Sequence, residues 1–363
     1  MTEREQQILD LIRTDPLIPQ QQLADRLGIS RSAVAGHIMH LTQKGYIQGK
    51  GYILAPERFA AVLGGANMDL AGQADGELRL QDSNPGRLSA SPGGVARNVA
   101  ENLARLGSRV ELISALGQDD WGERLIQSCR LAGVGTEHCL RLAGQRSSTY
   151  LSLHDADGEM QLALNDMAIL ERLDSQALEA RVGLLERAGL WVLDANLGPD
   201  ALSWLFSRAG NKPVLVDTVS AAKAARFKPY LGQIHTLKPN RLEAEVLTGL
   251  NIAGPAEVER AVAELHGAGV QRVLLSLGAD GAYASECGQG FWLDTVPVQV
   301  ANVTGAGDAA MAALAHGLLN DRDWRQSCEL AMAASALAAS AADTIHPLMS
   351  EAALGRVLEE NHA

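Results

Sequence analysis

Cysteine is scarce: Cys129, Cys139, Cys287 and Cys328 lie far apart in 363 residues and form no CxxC pair. That spacing supports neither a disulfide framework nor a zinc site, and it fits a reducing cytosol. Positive charge is also in the minority, 31 Lys and Arg against 43 Asp and Glu, for a net charge of −12. The bulk of such a chain is not a nucleic-acid-binding surface, although a small basic module is not excluded. Long apolar runs are missing. The most apolar stretch, LAMAASALAASAA near residues 330–342, is short and Ala-rich, and it reads as a buried helix rather than a membrane span. The opening MTEREQQILD has no signal-peptide hydrophobic region, so a cytoplasmic protein without membrane partners is expected. Internal repeats, low-complexity tails and a Walker A motif are absent from the sequence, so a P-loop kinase is not indicated. Aromatic residues make up 4%.

What is abundant is glycine, 36 residues, in a chain that is 47% hydrophobic. This composition reads as α/β with many tight turns, and the length suggests two or three folding units.

Residues 1–55 have a style of their own. Ile8, Leu9, Leu11 and Ile12 recur at helical spacing and a break follows at DPLIPQ. QQLADRLG would form a second helix stopped by Gly28, and Ser30 would cap a third, SRSAVAGHIMHLTQKG, stopped by Gly45. YIQGKGYIL then reads as two short strands around Gly49–Lys50–Gly51. This order resembles a winged helix-turn-helix of the kind found in bacterial transcription regulators. The resemblance implies DNA contacts from Arg31, Ser32, His37 and His40 on the third helix, with Lys44 and Lys50 near phosphates. Residues 1–58 carry seven Lys and Arg against six Asp and Glu, a weak charge for a DNA binder. A domain used only for protein contacts is the plainer alternative. A winged helix normally reads DNA as a dimer, so a homodimer is expected.

From Phe59 the pattern becomes β/α alternation. Buried-strand runs are AAVLGG, RVELISALG, LWVLDAN, KPVLVDT, IHTLKPN and RVLLSLG. Helical stretches separate most of them: ARNVAENLARLG, WGERLIQSCRLAG, ALSWLFSRAG, EAEVLTGL and AEVERAVAELHGAG. A doubly wound, mainly parallel sheet is predicted for residues 59–363. Near residues 141–166, TYLSLHDADGEMQLAL alternates about a DADG turn and predicts a β-hairpin, a candidate lid.

Ligands gather where such strands end. Asn302-Val-Thr304-Gly305-Ala306-Gly307-Asp308 has the form of an anion-binding loop opening a helix. Asp308 there would be held ionised by the helix field, and could take the proton of an attacking hydroxyl while the loop stabilises a transferring phosphoryl group. Taken singly, a glycine-rich turn with an acidic first turn is also an ordinary helix start. Other loops add to it. Gly93-Gly94-Val-Ala-Arg-Asn98 lets a ligand approach the backbone, and Asn67 with Asp69 suits sugar hydroxyls. Asn240-Arg-Leu-Glu243 can hold a magnesium hydration shell and phosphate oxygens, and Ser276-Leu-Gly278-Ala-Asp-Gly281 could admit a base or a phosphate.

In order and spacing these elements resemble the ribokinase/PfkB family of carbohydrate and nucleoside kinases, over about residues 59–350. GGVARNVAENLARLG and NVTGAGDA are the most specific stretches. The resemblance implies a ribokinase-like fold with a small β lid. It makes Asp308 the catalytic base, with Gly305, Ala306 and Gly307 as its anion hole. The ribose-like part of the substrate would meet Asn67, Asp69, Gly93, Gly94, Asn98 and Asp308. ATP and Mg2+ would meet Asn240, Glu243 (through water), Ser276, Gly278, Gly281, Thr304, Gly305 and Gly307.

Two departures stand out. Asn302 occupies a place usually held by an aspartate that helps bind a monovalent cation, so weak or no potassium activation is expected. Val95 stands where a lysine is usual. Both are similar to the pseudouridine kinase branch, as is an N-terminal winged helix. The expected activity is phosphorylation of the 5′-hydroxyl of a ribonucleoside, pseudouridine foremost. The alternatives are another nucleoside or a sugar (cytidine, inosine, uridine, ribose), a sugar phosphate met by Arg87 or Arg97, and a nucleoside-sensing transcription regulator. Asp194, Asn196 and Asp217 end buried strands and could line the site or merely cap turns.

Overall fold

The computed structural model describes residues 2–43, 46–47 and 58–362. The chain divides into two compact units, residues 1–57 and 58–363.

In the first unit, α1 (Glu3–Thr14) starts with a capping box between Thr2 and Glu5. α2 (Gln20–Leu27) ends on Gly28 in the left-handed region. α3 (Arg31–Gln43) is capped by Ser30, whose Oγ accepts from Ala33 N at 3.1 Å. Ile8, Leu9, Ile12, Leu23, Val34, Ile38 and Leu41 form its core. Of the side chains expected to meet DNA, Arg31, Ser32 and His40 are exposed and His37 is half-buried. Lys44, Lys50, the Gly45 stop and most of the expected wing lie outside the described residues.

The second unit begins with β1 (Phe59–Leu63), β2 (Asn67–Ala74), β3 (Gly86–Gly93), α4 (Val95–Arg105), β4 (Arg109–Ile113) and β5 (Ala115–Gly117). Next come α5 (Asp120–Leu131), β6 (Leu140–Leu142), β7 (Thr149–His154), β8 (Met160–Asp166), α6 (Ser175–Glu179) and α7 (Val182–Arg187). The chain continues through β9 (Leu190–Asp194), α8 (Pro199–Ala209), β10 (Val214–Asp217), α9 (Ala221–Ala224), β11 (Thr236–Lys238), α10 (Arg241–Thr248) and α11 (Pro255–Gly267). It closes with β12 (Arg272–Ser276), β13 (Ala282–Glu286), β14 (Gln289–Leu293), α12 (Ala306–Leu319), α13 (Trp324–Ala339) and α14 (Glu351–His362).

The main sheet runs β14-β13-β12-β11-β10-β9-β1-β4, parallel from β12 to β4 and antiparallel at β13 and β14. The parallel part is the α/β sheet that the strand runs predict; the antiparallel strands β13 and β14 extend it beyond those runs, and the whole is the mixed sheet that the ribokinase-like resemblance implies. Every residue of β1, β9 and β10 is buried because helices cover both faces. Ala60, Val62 and Val192 pack with α4, α12 and α13 on one face; Phe59, Leu63 and Leu193 pack with α8 and its neighbours on the other. The LAMAASALAASAA stretch falls largely in α13, within that first core. Among the described residues no helix is long and apolar enough to cross a membrane.

A second sheet, β3-β2-β7-β8, stands apart. β7 and β8 pair antiparallel with Tyr150 opposite Asn165, while Leu140–Leu142 pairs with β5 instead. The sequence reading of Asn67 and Asp69 as loop residues is corrected here. They lie on β2, which pairs with β3 through Asn67↔Gly93 and Asp69↔Ser91. Their polar side chains broke the apolar run that marks a buried strand.

Candidate active site

The main sheet's carboxyl edge brings three ionisable residues into one row. Asp194, Asp217 and Lys238 end β9, β10 and β11 and are neighbours in register. Asp308, in the first turn of α12, adds a third carboxylate.

Asp194 is a structural clasp. Its Oδ2 accepts from Gly65 N at 2.8 Å and Ala96 N at 3.0 Å, and its Oδ1 accepts from Asn196 N at 2.8 Å. It thereby ties the loop after β1 and the start of α4 to the end of β9. Asp217 accepts from Val219 N at 2.8 Å and pairs with Lys238 Nζ at 3.1 Å, both side chains buried. Burial alone would lower the Lys238 pKa, but Asp217, Glu243 and Asp308 outweigh it and hold the ammonium charged.

Asp308 accepts from Asn98 Nδ2 at 2.7 Å, and only 9% of its surface is exposed. The expectation that it would be held ionised is corrected. Burial first, then the charges of Asp217 and, more weakly, Asp194, push its pKa up to about 7, against lowering by Asn98 and Lys238. A helix N-terminus contributes about half a charge, too little to offset burial beside two carboxylates. The group is thereby poised to exchange a proton near neutral pH.

The loop before α12 is tightly built. Gly305 has φ +87°, and a Cβ there would stand 2.1 Å from Thr344 O, so only glycine fits. Ala306 N turns back to Val303 O at 3.3 Å, which leaves Gly307 and Asp308 as first-turn N–H donors without an intrahelical acceptor. The three-residue anion loop read from the sequence is thus narrower. Thr304 is exposed. Asn302 is a strut: its Oδ1 accepts from Thr304 N at 2.9 Å and its Nδ2 donates to Ala342 O at 3.0 Å.

On the small-sheet side, Asn67 Nδ2 donates to Asp69 Oδ1 at 2.6 Å. Burial raises the Asp69 pKa, against lowering by the Asn67 bond and the Arg97 charge. Gly93 lies directly beneath that carboxylate, since a Cβ would come within 2.0 Å of Asp69 Oδ2. Gly94 is the N-cap of α4, so Asn98 projects from the helix's first turns. Arg97 is neither a solvated arginine nor a free phosphate ligand. It is 2% exposed and bound to Glu101 at 2.6 Å, to Gly93 O at 3.0 Å and to Asn98 Oδ1. It orients the Asn98 amide so that its NH2 faces Asp308. Arg87 is exposed on β3.

At the other end, Asn240 and Glu243 form a capping box on α10: Glu243 N donates to Asn240 Oδ1 and Asn240 N to Glu243 Oε2, both at 2.9 Å. Glu243 is 5% exposed, and its Oε2 also accepts from Thr218 Oγ1 at 2.6 Å. Ser276 ends β12 and bridges to Asn240, and Gly278–Asp280 forms a single 3-10 turn closed by Gly281. The two nucleotide-side loops expected from the sequence are therefore neighbours.

Residues 57–351 match the pfkB family carbohydrate kinase model. The chain belongs to the pfkB family of carbohydrate kinases. It is an ATP-dependent phosphotransferase, and residues 1–48 of this pfkB kinase match a winged helix-turn-helix DNA-binding model. It is similar to the uncharacterized sugar kinase YeiI of Escherichia coli (strain K12), 42% identical over 96% of this chain and 97% of the relative. The pseudouridine kinase of the same organism is 41% identical over 80% of this chain and 94% of its own. Among solved structures, a carbohydrate kinase from Agrobacterium tumefaciens superposes with TM-score 0.73 at 28% identity, covering 83% of the pfkB kinase and 97% of that chain.

Sequence reasoning about this pfkB kinase passed over Lys238, and set Arg97 down only as a contact to a sugar phosphate. A lysine closing an otherwise apolar strand was the available signal for the first. Arg97 shares α4 with Asn98, but only the folded contact with Gly93 O and Glu101 shows that it faces inward.

Proposed function

We propose that this kinase transfers the γ-phosphoryl group of ATP to the 5′-hydroxyl of a ribonucleoside, with pseudouridine the foremost substrate. The observation that carries the reading is the 2.7 Å bond from Asn98 to Asp308, which joins the glycine loop of the substrate side to the carboxylate at the anion turn. Asn67, Asp69 and Asn98 take the ribose hydroxyls, and Asp308 accepts the proton of the attacking hydroxyl. Gly307 and Asp308 N–H groups, with Gly305 and Ala306 shaping the turn, stabilise the charge on the group in transfer. Asn240, Ser276, Gly278, Gly281 and Thr304 border the nucleotide. The 41% identity to a pseudouridine kinase supports the substrate.

Magnesium fits this site as a companion of the nucleotide. Among the described residues no group of three or more His, Cys, Asp or Glu could hold a metal ion. Mg2+ bound with nucleotides takes most of its ligands from phosphates and water, so Glu243 through water is the contact this chain would offer. Once bound, the ion offsets charge on the phosphates.

The test is ADP release measured with pseudouridine, uridine, cytidine, inosine, adenosine and ribose. Highest kcat/KM for pseudouridine is expected; turnover of ribose alone would refute the nucleoside reading. A second reading is carried by α3, whose Arg31 and Ser32 are exposed beside half-buried His37. In it the N-terminal unit of a homodimer binds DNA through these residues and Lys44, in response to the nucleoside. DNA binding that changes on adding pseudouridine would support it, and no binding in either condition would remove it.

A further inference from the structure

Lys238 is the cation of the carboxyl-edge row, and the proposed chemistry gives it no role. A lysine that ends a buried strand is costly to desolvate, and its pair with Asp217 at 3.1 Å does little more than offset that cost. Two apolar side chains would fill the same space with at least equal stability. The position of the ammonium is what distinguishes it. A Cβ built on Gly307 would stand 3.3 Å from Lys238 Nζ, so the cation sits against the first turn of α12, where the free N–H donors are.

We propose that Lys238 is a catalytic residue of phosphoryl transfer: held by Asp217, its ammonium contacts an oxygen of the transferring group alongside the Gly307 and Asp308 N–H groups. The inference rests on the site described under the proposed function. In the step, the acceptor hydroxyl oxygen bonds to the γ-phosphorus and the bond from phosphorus to the β–γ bridging oxygen breaks. The electron pair leaves with ADP, and the hydroxyl proton passes to Asp308. Lys238 gives up no proton. It supplies fixed positive charge where the equatorial oxygens carry negative charge, and Asp217 fixes its direction. It also faces Asp308, whose charged surroundings are Asp217, Asp194 and Lys238.

The test compares Lys238→Met, the double variant Lys238→Met/Asp217→Asn and Asp308→Asn, all as full-length protein. Lys238→Met should lower kcat by about 100-fold or more, leave ADP affinity within about twofold, and move the acid limb of kcat/KM to higher pH. Loss of the Lys238 charge raises the Asp308 pKa even for a merely structural lysine, so the limb moves in either case; the fall in kcat on the alkaline plateau, with ADP affinity kept, is what a structural lysine would not produce. The double variant removes the buried unpaired carboxylate and keeps the test open if the single variant does not fold; its kcat should be as low. A folded single or double variant with kcat within about fivefold of the parent overturns the inference. If Asp308→Asn is also fully active, the site itself is misassigned; if only the Lys238 variants are active, the failure belongs to Lys238 alone.

Discussion

Replacing Asp308 with Asn should make the folded kinase more stable, and only above acidic pH. In the folded chain the Asp308 pKa is raised from 3.8 to about 7. Well below pH 3.8 both folded and unfolded states hold the proton and the group contributes no difference. Between pH 4 and 7 the unfolded chain releases its proton while the folded chain retains it, so stability falls as pH rises; above 7 the loss is complete. About 3 pKa units correspond to about 4 kcal/mol. Asparagine keeps a carbonyl oxygen for Asn98 Nδ2, so the 2.7 Å bond survives and only the charge is removed. At about 2 °C per kcal/mol, the variant's Tm should exceed the parent's by about 8 °C at pH 8 and by little at pH 4.5. Calorimetry of both ligand-free proteins at the two pH values is the assay, and groups common to both cancel in the difference. An equal Tm difference at both pH values, or a less stable variant at pH 8, would show that Asp308 is not under the strain described. In the parent enzyme the same pKa sets activity: kcat/KM should fall about tenfold per pH unit below 7.

Three further outcomes follow from the site. Asp69→Ala should weaken nucleoside binding by about 1–3 kcal/mol and leave the KM for ATP nearly unchanged, since partner polar groups lose their acceptor; a nucleoside lacking 2′- and 3′-hydroxyls that is used as well as its parent would contradict this. Potassium should activate weakly or not at all, because the Asn302 amide is neutral and already engaged with Thr304 and Ala342; exchanging a bulky organic cation for potassium at fixed ionic strength measures it, and a large rate increase would count against it. Deleting residues 1–57 should leave kinase activity largely intact, because the second unit has its own cores, and should abolish salt-sensitive DNA binding in a low-salt gel shift; equal binding by full-length and truncated protein would remove the DNA-binding role.

How much of this was legible in the sequence depended on whether the cause was local. The parallel strands of the main sheet showed as apolar runs because helices cover both faces, and helices such as α4 and α11 showed in their spacing; the antiparallel edge strands β13 and β14, half of whose residues are polar or glycine, did not show. Gly28 and Ser30 carried their capping roles openly. β2 and β3 did not show, because one face of the small sheet is polar and Asn67 and Asp69 resemble loop residues. The Asn240–Glu243 capping box was present as N-x-x-E, but only the ligand role of the pair was read from it. The charge state of Asp308 was beyond local reading. It is set by residues from β9, β10, β11 and α4, which are distant in the chain and adjacent only after folding.

Single-turnover transfer from ATP to pseudouridine at pH 8, in the parent and in folded Asp308→Asn, tests the central claim most directly. The account predicts pseudouridine 5′-phosphate and ADP from the parent, and formation about 10²–10⁴-fold slower in the variant with ATP affinity little changed. Near-parental transfer by a correctly folded Asp308→Asn protein would contradict it.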